Sequence, residues 1–92
     1  MAVMTQMAYQ KKTFNRLLKW LQSNGYEAKQ ITLYSPNAQR EVIRVNTDYN
    51  GLYPTKETLF AHEKIREHVN RMRCNLATES HISKVCIDIA FI

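Results

Sequence analysis

The chain has 92 residues, 45% of them apolar and 23% charged, with two glycines and two prolines. This excludes disordered, collagen-like and low-complexity classes, because enough apolar surface exists to offset chain entropy, and a chain this short builds one small core. Thirteen Lys+Arg against eight Asp+Glu leave a net charge of +5, which points to polyanions or acidic proteins as partners.

The spacing predicts a first helix over 4–23. Met7, Phe14, Leu17, Leu18 and Leu21 fall on one stripe at helical period, and Asn24-Gly25 supplies a stop. A strand is expected over 28–34, where Ile31 and Leu33 alternate with Thr32 and Tyr34. Ser35-Pro36-Asn37-Ala38 reads as a turn, and a second strand over 40–46 sends Ile43 and Val45 to one face and Arg40, Val42 and Arg44 to the other. These two strands should form an antiparallel hairpin. Asp48-Tyr49-Asn50-Gly51 is a further turn, in a loop that also holds Tyr53 and Pro54.

Thr55 is placed to cap a second helix running to Leu76, with Ala61, Ile65, Val69, Met72 and Leu76 inward and Glu67 four residues before Arg71 on the outside. A last strand is expected over 82–91, where Val85, Ile87, Ile89 and Phe91 alternate with Lys84, Cys86, Asp88 and Ala90. The order α-β-β-α-β implies one α+β domain over 1–92, in two layers: two helices on a three-stranded antiparallel or mixed sheet. The other sheet face should then show Arg40, Arg44, Lys84 and Asp88.

No apolar run approaches the roughly 18 residues that would span a bilayer, and no secretory leader pattern is present at the start. Cys74 and Cys86 are too few for a disulfide scaffold and suit a reducing cytoplasm. Catalysis by a nucleophile and base would have to use these thiols with His62, His68 or His81. No local signature joins them: Cys74 falls on the outer helical face and Cys86 in the last strand, so a core thiol and surface histidines are expected. No metal-ligand spacing, paired-carboxylate motif or glycine-rich phosphate loop occurs either. The expectation is a protein that is not an enzyme and takes no cofactor, metal or small-molecule substrate.

Charge patterning is more informative. The first 25 residues carry Lys11, Lys12, Arg16 and Lys19 and no acid. On a helix, Lys12, Arg16 and Lys19 fall opposite the apolar stripe, beside Trp20, and together they make a candidate contact patch. Arg66 and Arg73, aligned with Asn70 on the second helix, and Arg40 and Arg44 on the open sheet face are secondary candidates. The paired aromatic motifs of RNA-binding platforms are absent.

The segments KKTFNRLLKWLQSNGY, ITLYSPNAQREVIRV and TKETLFAHEKIREHVNRMR resemble small phage-encoded proteins, above all the anti-CRISPR proteins, in the type I-F class. The resemblance covers the whole chain, rests on no diagnostic motif and transfers no individual residue. It implies a non-enzymatic inhibitor in the cytoplasm of an infected bacterium. Such a protein binds a CRISPR RNA-guided surveillance complex and blocks target DNA binding or hybridisation. Some members are acidic DNA mimics, and +5 has the wrong sign for that mode. The resemblance therefore implies contacts to acidic protein patches or to the guide RNA backbone. The alternatives are an autonomous basic nucleic-acid-binding module or regulator, and a small nuclease that uses the histidines.

Overall fold

Thr5 starts the first helix. Its hydroxyl accepts the Ala8 N–H at 3.1 Å, satisfying one of the donors left over at a helix start. The structure is a computed structural model that describes residues 5–48 and 54–92. Helix α1 spans Gln6–Ser23; Asn24 caps its end, donating through Nδ2 to the Trp20 carbonyl at 2.8 Å, and Gly25 turns the chain at φ +81°. Phe14, Leu17 and Leu21 are buried as expected. Met7, expected inward, is 81% exposed. Its side chain borders an open hollow shared with Phe14, Gln39, Arg40 and Phe91.

Strands β1 (Glu27–Ser35) and β2 (Ala38–Asn46) form the expected hairpin, joined by Pro36-Asn37 and paired from Glu27↔Asn46 to Ser35↔Ala38. Helix α2 spans Lys56–Met72, and Thr55 caps it by accepting the Thr58 N–H at 3.3 Å. The turn expected after Asp48 lies outside the described residues over 49–53.

The C-terminal third corrects the sequence reading. α2 stops at Met72 because Arg73 and Asn75 take left-handed angles, φ +53° and +57°. Leu76 does not end the helix; it begins strand β3, Leu76–His81. A 3-10 turn, Ile82–Lys84, then leads through Val85 at φ +46° into β4, Cys86–Phe91. The element order is α-β-β-α-β-β, and the sheet has four strands, in the order β1-β2-β4-β3, every neighbour antiparallel. The fold is α+β.

Both helices cover one sheet face. Phe14, Leu17 and Leu21 from α1 meet Ile65 and Val69 from α2 over Ile43, Val45, Ile87 and Ile89. Each fully buried Leu, Ile or Val of this set contributes about 1.5–3 kcal/mol by leaving water. α1 lies over β1 and α2 over β3. The β2–β4 ladder covers only Ile43 to Asn46, so the far half of the β1–β2 hairpin extends past it as a two-stranded ribbon. The molecule is accordingly elongated, 49 × 33 × 17 Å. No helix among the described residues is long and apolar enough to cross a membrane.

Candidate polyanion-binding face

α1 presents its basic residues because its apolar stripe is taken up by the core. Lys11, Lys12, Asn15, Arg16 and Lys19 are all exposed. With Ala8 they border a shallow depression of about 390 Å³ on the outer side of the helix. The helix carries no acid, and none of the ion pairs formed among the described residues involves these cations. Successive turns of a helix rise about 5.4 Å, so Lys12, Arg16 and Lys19 form a line of charge rather than a cluster. Such a line suits a chain of anionic groups.

Trp20 is placed differently from its neighbours. It is half-buried against the core, and its ring lies flat on His68 of α2, with centroids 3.6 Å apart and planes 5° from parallel. Tyr26 packs nearby at 6.2 Å. The stack bridges the two helices. Burial lowers the His68 pKa, and the charges of Arg71 and Arg16 lower it further, which favours the neutral ring.

The other candidates do not join this face. Arg44 lies on the sheet face away from the helices. Its Nε and Nη2 donate to the two Asp88 carboxylate oxygens, both at 2.8 Å. Asp88 is only 6% exposed. Burial alone would push its pKa up, but the Arg44 hydrogen bonds and charge, with His81 alongside, outweigh that and hold it below the ordinary value. His81 Nε2 stands 3.4 Å from Asp88 and 4.0 Å from Glu79. Arg40 is exposed on the extended ribbon and borders hollows on both sides of it. Arg66 donates to the Ser80 hydroxyl at 3.0 Å, at the margin between α2 and β3. Arg73 has left the helix, so the expected alignment with Arg66 and Asn70 ends one residue short. The eight predicted residues therefore fall on three regions: α1, the outer sheet face, and the α2–β3 margin.

The histidines also depart from the surface placement expected of them. His62 is 2% exposed, its Nε2 2.7 Å from the Thr47 hydroxyl and its Nδ1 without a partner among the described residues. Burial lowers its pKa, with Arg66 and His81 adding to the effect. Thr58 Oγ1 donates to the Thr47 carbonyl at 2.8 Å and completes a buried polar knot under the start of α2. Cys74, expected on the outer helical face, follows the helix instead and is buried, its Sγ donating to the Met72 carbonyl at 3.1 Å. Cys86 is buried too, and burial pushes its thiol pKa up. No three His, Cys, Asp or Glu side chains converge as metal ligands among the described residues.

Sequence reasoning passed over Lys11 and Asn15, which complete the α1 face, and Lys29 and Glu79, which share the outer sheet face with Arg44 and Asp88. The first pair was readable from helical spacing. The second needed strand register. No protein-family model, curated protein or solved structure matches this chain.

Proposed function

We propose that this chain is a non-catalytic binding domain that docks the cationic face of α1 on an anionic nucleoprotein surface. The observation that carries the reading is the line of exposed cations on an acid-free helix, outside every ion pair of the described residues. Cations with no internal partner keep their full interaction with phosphate, and their mutual repulsion is relieved when a polyanion binds. The sequence resemblance to type I-F anti-CRISPR proteins directs the proposal to a CRISPR RNA-guided surveillance complex in the bacterial cytoplasm. There, α1 would lie along the guide RNA backbone and the adjoining protein, and the bulk of the domain would block target DNA from hybridising. Lys12, Arg16 and Lys19 are the principal contacts; Arg40, Arg66 and Arg73 are secondary. Trp20 supports this face from below through its stack on His68.

The test is capture of a purified type I-F surveillance complex by the immobilised protein. Lys12→Glu with Arg16→Glu should cut retention at least about tenfold, since each reversal removes a phosphate contact and adds repulsion. The melting temperature should stay within a few degrees, because both side chains are exposed. Retention unchanged by the double reversal would refute the reading. Tight binding of free RNA or duplex DNA at physiological salt, falling steeply as salt rises, would instead favour an autonomous nucleic-acid-binding module.

A further inference from the structure

The sheet face turned away from the helices is covered by no described element, and its charges run in a definite order. Residues opposed in an antiparallel ladder share a face, so Lys29, Arg44, Asp88 and Glu79 form one row straight across β1, β2, β4 and β3. The signs along that row are plus, plus, minus, minus. Two residues further along each strand, Ile31 faces Val42 and Ala77 faces Ala90. This second row is apolar, large on the β1–β2 side and small on the β4–β3 side. A hollow of about 250 Å³ opens over Val42, Ala77 and Ala90, with Leu33 and Arg40 on one rim and Glu79 and Asp88 on the other.

We propose that this face packs against the same face of a second copy of the chain, about a two-fold axis that lies between β2 and β4 and runs parallel to the strands. That axis sets β1 of one copy over β3 of the other, and β2 over β4. Lys29 then faces the partner's Glu79, and the Arg44–Asp88 pair lies head-to-tail on its own copy. The second row matches in shape where it is open: Ile31 comes down over the partner's exposed Ala77, while Val42 and Ala90, 2% and 4% exposed, are already covered within each copy and floor the hollow. A two-fold axis across the strands would instead put Lys29 over Lys29 and Glu79 over Glu79, so charge selects one orientation. The result is an aligned sheet-on-sheet sandwich with the helices outside. Both α1 faces remain free, so the dimer does not depend on the partner proposed above, and it places Arg44 against the copy.

Four strands about 4.8 Å apart and the six residues of β3 and β4 at about 3.3 Å give roughly 380 Å² per copy. The total, about 760 Å², is below the standard size of tight complexes, so the dimer is a concentration-dependent one, with a Kd on the order of 100 µM. Sedimentation equilibrium of the full chain over about 10 µM to 1 mM tests it, those limits bracketing that Kd tenfold on each side. The mass should rise from 10.8 kDa towards twice that value. Glu79→Lys should weaken the dimer about tenfold, since a two-fold interface repeats each repulsion. Adding Lys29→Glu should restore it, because the two reversed charges meet again. Glu63→Lys, an equal charge change at an exposed position of α2, should have no effect. Circular dichroism would show the variants folded. A constant 10.8 kDa across the series overturns the proposal, as does a dimer insensitive to Glu79→Lys or one that Lys29→Glu fails to rescue. A monomer whose outer-face reversals reduce capture of the surveillance complex would assign this face to that complex instead.

Discussion

Removing the Arg44 guanidinium tests whether the outer sheet face is held together by charge. Asp88 is 6% exposed and takes both of its charge-assisted hydrogen bonds from this one side chain, at 2.8 Å each. A hydrogen bond to a charged group contributes about 1.5–3 kcal/mol, and leaving the carboxylate buried without its partner adds a desolvation cost. Two effects reduce the total. The Arg44 side chain is 38% exposed, so solvent screens the pair, and His81 Nε2 at 3.4 Å can take part of the load. Arg44→Ala should therefore cost about 2 kcal/mol, which for a domain of this size lowers the melting temperature by roughly 8–16 °C. Thermal unfolding of Arg44→Ala, Asp88→Ala and the double variant, at low micromolar concentration so that the chain is monomeric, measures the coupling directly. It should exceed about 1 kcal/mol. The folded Asp88 pKa lies below its unfolded one, so this stability is fully present above the ordinary carboxylate pKa of about 3.9 and is lost as pH falls through the folded value. The cost of Arg44→Ala should shrink in that window. Additive losses with no pH dependence would show that the pair is incidental and would remove the basis for Arg44 as a structural residue.

Two further predictions concern α2. His62 is buried with a lowered pKa, so its neutral form belongs to the fold and the unfolded chain binds the extra proton. Stability should be complete above about pH 6.5 and decline as pH falls below it, with His68 contributing in the same direction; His62→Gln should reduce that decline, and an unchanged pH profile of the melting temperature would count against the assignment. Trp20→Ala removes the stack between the helices and should cost roughly 2 kcal/mol, less than a fully buried aromatic because the ring is only half-buried. If Trp20 were instead a partner contact, the same variant would lose binding and keep its melting temperature.

Where the chain's own periodicity or capping chemistry was strong, the elements were legible. Phe14, Leu17 and Leu21 repeat at helical spacing, Thr55 is a cap, and Ile43 and Val45 alternate with Arg44, so α1, the hairpin and most of α2 followed from residues close in sequence. The end of α2 was not legible, because Arg73-Cys74-Asn75 contains neither glycine nor proline and yet takes two left-handed angles. β3 was missed for a related reason. Leu76–His81 is an edge strand with only one buried residue, so it shows no alternation to read. Its existence depends on pairing with β4, a contact that local sequence does not encode.

By itself, the sequence determined which side chains could be buried, which helix would be acid-free, and that the charge would be concentrated on α1. Those are properties of composition and period, and they hold before any long-range contact forms. The tertiary structure decided which charges meet. It turned Trp20 onto His68, drew His62 under Thr47, and bound Arg44 to Asp88 across two strands that lie 44 residues apart in the chain. It also aligned Lys29, Arg44, Asp88 and Glu79 in one row, which no local pattern contains, because register between distant strands is set by the shared burial of Ile43, Val45, Ile87 and Ile89.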